Sequence, residues 1–519
     1  MAALPALLAL VASLLQASAP SREERQWLLE AQQRFQNRQW DEARNAALKA
    51  LEANPKSGDA ETVLGLVETM RSRFQEAERH FRNAAALQPA NPRVHAYLGS
   101  TYLQQQRLPE AGKAFERVLQ LDPGNSAAHY NLGLIGLAGG NAAAALAHFD
   151  HVRNADAKDI PALIGALECQ LLLKRAAEAR QSADRLQKLL DARDPRLFQT
   201  ATLLAVHGEY PSAIPILERI REVLPDSADV HYNLALAYHR SGQHDKAADS
   251  LKPLLATRGR AETYSLLASI EESRNHPQEA LRAFRRAAEL EPGSEEFRFD
   301  HATALLRYEY PEAAGVEFER ALRDFPNSWK IRLGLGGHYY LQGKYEDASR
   351  ILLDAVRIEP NAPLAYHLLG LSYESAGSRQ PEILRVLERY VDGKPADAWA
   401  YYHYGTILYT QSQAQRQDPP ERAKMSLRRA LELNPDFPEA LLQLGTMAES
   451  DEESVPFYER AIKLKPDLAL AHYRLGLAYQ RMGEGEKAKT ELALFRKLRA
   501  ENEEAEKRRV LETLTRQSK

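Results

Sequence analysis

An all-α solenoid of about fourteen stacked helix-turn-helix units is the fold this sequence predicts, on three observations. Prolines recur at a 34-residue step, at Pro55, Pro89 and Pro123. Other landmarks keep the same offsets: Leu64-Gly65, Ala77, Phe81 and Ala84 precede Pro89, and Leu98-Gly99, Ala111, Phe115 and Val118 precede Pro123. Between landmarks, apolar residues fall three and four apart, the period of one helix face. A fixed step of this length marks an array in which each unit buries its apolar face only against its neighbours.

Each unit is numbered so that the Leu-Gly pair falls at positions 7 and 8. Helix A is then expected over roughly the first fourteen positions and helix B over roughly the next sixteen, by the apolar period. The proline at position 32 closes helix B, because it lacks an N–H and restricts the residue before it. Units start at Glu24, Gly58, Pro92, Ser126, Ile160, Asp194, Ala228, Ala261, Glu295, Trp329, Pro363, Ala398, Pro438 and Ala469. Small residues at positions 8 and 20 let two helices approach, and the bulky residue at 24 fills the space beside them.

Composition narrows the function. Acidic and basic residues nearly balance, 71 against 68, for a net charge of −3. That is not the basic footprint of a nucleic-acid binder. Cys169 is the only cysteine, so an intrachain disulfide and a cysteine-based zinc site are excluded; beside Leu171 to Leu173 it reads as core packing. Residues 1–19 carry no charged side chain and end in Ala17-Ser18-Ala19, a small-x-small tripeptide of the kind that signal peptidase cuts. They are expected to be a signal peptide or an N-terminal anchor. The missing n-region Lys or Arg, and Pro20 after Ala19, speak against cleavage. Either reading exports the chain to the periplasm or exterior; a misassigned start would leave it cytoplasmic. The solenoid is assigned to residues 20–495, and the mixed-charge stretch 496–519 to a helix that solvates its end.

The repeat resembles the tetratricopeptide repeat (TPR): an aromatic at position 4, Leu at 7, Gly or Ala at 8, Tyr at 11, Ala at 20, Phe at 24, Ala at 27 and Pro at 32. The best matches carry Leu98-Gly99-Tyr102, Leu234-Ala235-Tyr238, Leu335-Gly336-Tyr339, Leu369-Gly370-Tyr373 and Leu475-Gly476-Tyr479. The resemblance implies a right-handed superhelix whose inner groove is lined by positions 2, 5, 9 and 12 of helix A. Several units depart from the pattern. The unit after Ile160 lacks a clean Leu-Gly pair and its closing proline, Pro195, arrives late. The unit after Pro363 has Glu382 at position 20. Gln411–Pro420 reads as a lengthened turn between helices A and B, and the next unit as one shortened around Asp451–Ser454.

Register reassigns the motifs that suggest chemistry. His95, His129, His231 and His472 all stand at position 4, as stand-ins for a packing aromatic. His148 and His151 have no third ligand at metal-binding spacing, and there is no HExxH. The run Gly133–Gly140 is a position-8 glycine followed by an A-to-B turn, not a phosphate loop. No GxSxG elbow, Walker lysine or Cys-His pair is present, so neither a catalytic constellation nor a cofactor site is expected.

What the repeat leaves over is its groove. The resemblance places Tyr130, Tyr232, His367, Tyr402 and Tyr473 there at position 5, and His239, Tyr340 and Tyr409 at position 12. Asn131 and Asn233 adjoin two of them. Tyrosine offers a rigid apolar body with a polar tip, suited to holding a peptide. Tyr339, Tyr340, Tyr366, Tyr373, Tyr401, Tyr402, Tyr404 and Tyr409 concentrate in units ten to twelve, though those at positions 4, 7 and 11 belong to the core. No unit has the Lys at 5 with Asn at 9 that the family uses to grip a C-terminal carboxylate. The expected function is a non-enzymatic scaffold for other proteins or peptides, touching a membrane only through an uncleaved N-terminal segment. The alternatives are an adaptor of an envelope polysaccharide or secretion assembly, and an enzyme with a cryptic site.

Overall fold

Residues 21–257 and 259–499 are described by the computed structural model. The expected export segment and the charged stretch beyond residue 499 lie outside the described residues. Among those described there are 28 α-helices and no strand, and along the chain they alternate as fourteen A and fourteen B helices. The protein is an all-α solenoid. It divides into two compact bodies, Met1–Gln243 and His244–Lys519, with the division in the turn of repeat 7. Within each body every helix packs against its neighbours in sequence.

Twelve of the fourteen A helices begin at the residue the 34-residue numbering assigns; the others begin at Arg22 and Pro195. The cause is local. The last residue of the preceding repeat is an N-cap: Ser57, Asn91, Asn125, Asp159, Ser294 and Ser328 each accept a backbone N–H of the first turn. Pro195 is therefore not a late closing residue. It opens helix Pro195–Val206, where its missing N–H costs nothing.

Helix A ends equally regularly. Position 15 takes a left-handed conformation in Ser72, Gln106, Gly140, Lys174, Gly208 and Glu309 among others, with φ of 57–80°. The next N–H then returns to the carbonyl five residues back, as in Arg107 to Tyr102 at 2.9 Å and Asn141 to Gly136 at 2.8 Å. A standard repeat thus has thirteen residues in helix A, such as Gly58–Met70, and fourteen in helix B, such as Phe74–Leu87.

Packing follows the register. Ala77, Phe81 and Ala84 are all buried. A Cβ added to Gly65 would lie 2.6 Å from the Phe81 ring, and one on Gly336 would lie 2.6 Å from Leu352. Position 11 is a link between repeats: Tyr339 donates to Glu319 at 3.0 Å and Tyr479 to Glu459 at 2.7 Å, each 20 residues back. The position-4 histidines do more than replace an aromatic. His95, His129, His231 and His472 each point Nε2 at the carbonyl of the proline six residues earlier, at 2.7–3.1 Å. That carbonyl belongs to the turn after helix B, where acceptors lack intrahelical partners. Arg332 serves Pro326 in the same way at 2.6 Å. Cys169 is core, with its thiol pushed up to about 12 by burial.

Repeats 11 to 13 break the pattern. After Pro363–Ser372 come two 3₁₀ turns, Tyr373–Ser375 and Gly377–Arg379, which absorb an extra residue. Helix B starts late, at Gln380, so Ile383 takes the buried place and Glu382 turns outward to Arg357 and Arg379. In repeat 12 the inserted residues do not simply lengthen a turn. They add a helical turn, giving the seventeen-residue helix Ala398–Ala414. In repeat 13 Asp451–Ser454 is the first turn of helix B, and the shortening falls on helix A, the nine-residue Pro438–Thr446.

Candidate functional site

All ten residues expected to line the groove are partly exposed, but they do not form one site. In the first body, Tyr130 meets Phe149 edge-on at 5.8 Å, and burial raises its hydroxyl pKa. Asn131 and Asn233 return their amides to their own helices, to the carbonyls of Ala127 and Asp229 at 2.8 Å. Tyr232 and His239 share the helix Ala228–Arg240. In the second body, Tyr340 packs on Tyr345 at 5.4 Å, Tyr409 reaches the Thr446 carbonyl at 3.5 Å, and Tyr473 lies 4.9 Å from Phe495.

His367 and Tyr402 are brought together, by the irregular repeats. Without a standard helix B beside it, helix Pro363–Ser372 packs directly on Ala398–Ala414. A Cβ at Gly370 would overlap the ring of His403 on that next helix A, whereas Gly65 and Gly336 face their own helix B. The contact places His367 Nδ1 2.9 Å from His403 Nε2. Trp399 then meets His367 edge-on at 4.5 Å and stacks on His403 at 5.8 Å. Phe437 closes the group at 4.5 Å from Trp399 and 5.2 Å from Tyr402.

An N–H···N bond needs one donor and one bare nitrogen, so the pair holds only while at least one imidazole is neutral. Burial enforces this. It holds His367 down to about 4, against an opposing pull from Glu439, and holds His403 well below its ordinary value, with His367 adding to the effect. The result is a preorganised aromatic surface whose outer members are Trp399, 39% exposed, and the half-buried Tyr402.

With this geometry in place the comparisons are informative. A family model described as Tetratricopeptide repeat matches residues 206–270 and 305–371, and a TPR repeat model matches 449–483. The repeats are tetratricopeptide repeats. A model of the Tetratricopeptide repeat protein 21 C-terminal ARM domain also matches, over residues 6–131. The human Protein O-mannosyl-transferase TMTC1 is 24% identical over 242 residues, 46% of this chain. The match spans 23% of that relative's length. Among solved structures, the Cut9-Hcn1 hetero-tetramer of APC/C aligns over 88% of this chain and 96% of its own, at 15% identity and a TM-score of 0.34. PilF of Pseudomonas aeruginosa aligns over 41% of this chain and 96% of its own, at 22% identity and a TM-score of 0.34. Scores of this size carry no conclusion, and none is taken from them.

Three members of the TPR aromatic group, Trp399, His403 and Phe437, were not among the expected groove residues. Trp399 stands at position 2, one of the groove positions, so the register signals it. His403 joins through the close approach of two A helices at Gly370, and Phe437 from the cap of the next A helix. A second histidine group brings a third imidazole to His148 and His151. His129 supplies it, with Nδ1 2.9 Å from His148 Nδ1 and its ring stacked on His151 at 3.8 Å. His129 Nε2–H donates to Pro123, so its Nδ1 is bare and accepts from His148. Among the described residues no group of three or more His, Cys, Asp or Glu side chains is arranged to hold a metal ion.

Proposed function

We propose that this TPR protein is a non-enzymatic scaffold that holds segments of other proteins, with Trp399 and Tyr402 as the anchors of its principal contact. The observation that carries this reading is the aromatic group of repeats 11 to 13. Interface hot spots are enriched in Trp and Tyr held rigid by neighbours that exclude water. Here the His367–His403 pair and Phe437 supply that support. TPRs in general suggest protein binding, and the aromatic group supports this choice of location for it.

The test is a photo-crosslinking residue at position 399 in the full chain, with the captured segment identified by mass spectrometry and then synthesised. Tyr402→Ala should weaken binding of that peptide about tenfold or more, the loss of one hot-spot residue, while helicity is unchanged. Equal affinity for the variant would place the contact elsewhere. We further propose that the scaffold works outside the cytoplasm, on the composition of residues 1–19. No helix of the described residues is long and apolar enough to cross a membrane. Sequencing the N-terminus of the mature protein decides this point.

A further inference from the structure

Repeats 4 and 5 form a polar cavity of about 150 Å³ that is half open to solvent, far from the aromatic group in sequence. Its walls come from three helices: Arg153 from Ala142–Ala155, Gln170 from Ile160–Leu172, and Glu178, Gln181, Ser182 and Arg185 from Ala176–Leu189. The floor is buried, with Gln170 at 2% and Ser182 at 4% exposure. Ser182 Oγ donates to Gln170 Oε1 at 2.8 Å, which occupies the amide oxygen and leaves the amide nitrogen to supply only donors.

The two guanidinium groups are incompletely answered. Arg153 places one end on Asp150, and its Nη1 lies 3.5 Å from Ser182 Oγ, the limit of a hydrogen bond. Its Nε is buried and has no acceptor. Arg185 has no ion pair among the described residues. Glu178 is the one carboxylate in the wall, and it lies 3.7 Å from Arg175. The cavity is therefore rich in donors and positive charge and poor in acceptors.

We propose that this cavity is a binding site for a small oxyanion, a phosphate or a carboxylate, held by Arg153 and Arg185 above the Gln170 amide. Both anions match the forked geometry of guanidinium groups. The site is independent of the aromatic group.

The test titrates the full chain by calorimetry with inorganic phosphate, and separately with acetate, at constant ionic strength set by chloride. A saturable one-to-one isotherm is expected, and Arg185→Gln should weaken it at least tenfold. That variant alters an exposed side chain and leaves the Arg153–Asp150 pair in place. Arg153→Gln should abolish the isotherm, with circular dichroism showing retained helix. Saturation by phosphate alone, or by acetate alone, supports the site and identifies its anion. No saturable binding of either anion, or equal binding by Arg185→Gln, overturns it.

Discussion

Asp300 shows what the solenoid does to a residue that the repeat does not require. It stands at position 6 of helix Glu295–Arg307, only 8% exposed, and its carboxyl is pushed up to about 7, mainly by burial. Glu296 adds to the rise and Lys330 opposes it. Below about pH 3 the group is largely protonated in both folded and unfolded chains and costs little. Between pH 4 and 7 the unfolded chain releases this proton and the folded chain keeps it, so stability falls as pH rises. Above pH 7 the whole penalty is present, about 4 kcal/mol at 1.36 kcal/mol per unit. Asp300→Asn should therefore raise the melting temperature at pH 8, with a gain that shrinks toward pH 4. A gain independent of pH would mean that packing, not ionisation, is what the substitution relieves.

At the scale of the element, Gly370 decides whether two A helices can touch. Its missing side chain is where the His403 ring sits, and Trp399 stacks on that ring. Gly370→Ala should push the ring away and break the His367 bond, with an overpacking cost of about 1–3 kcal/mol. Tryptophan emission should change with it, since Trp399 loses a stacking partner; an unchanged spectrum would show that the helices adjust without disturbing the group. This element also marks how far the sequence could be read. Helix starts were legible because the caps Ser57, Asn91 and Asn125 and the prolines keep step. The position-15 turn was half hidden, because Ser72, Gln106 and Glu309 adopt a conformation that only glycine advertises. The ring contacts of His403 and Phe437 were not legible. The first accompanies a one-residue delay of a helix, absorbed by 3₁₀ turns that no period announces, and the second comes from a helix cap outside the repeat pattern.

Across the whole molecule, stability should be the sum of repeat terms and nearest-neighbour interfaces, because the described helices pack mainly on their neighbours in sequence. Gly336→Leu tests this directly. The new side chain would collide with Leu352 inside repeat 10, again costing about 1–3 kcal/mol. Hydrogen exchange should accelerate most in Trp329–Leu341 and Tyr345–Ile358, less in the flanking repeats, and not at all in the helices of Arg22–Arg240. Unchanged exchange in repeat 10 would show that position 8 has been placed on the wrong helix face. Acceleration of equal size in every repeat would show that the chain opens as one cooperative body. A gradient centred on repeat 10 would mean that the aromatic group of repeats 11 to 13 can loosen or tighten around a partner while the first body keeps its own stability.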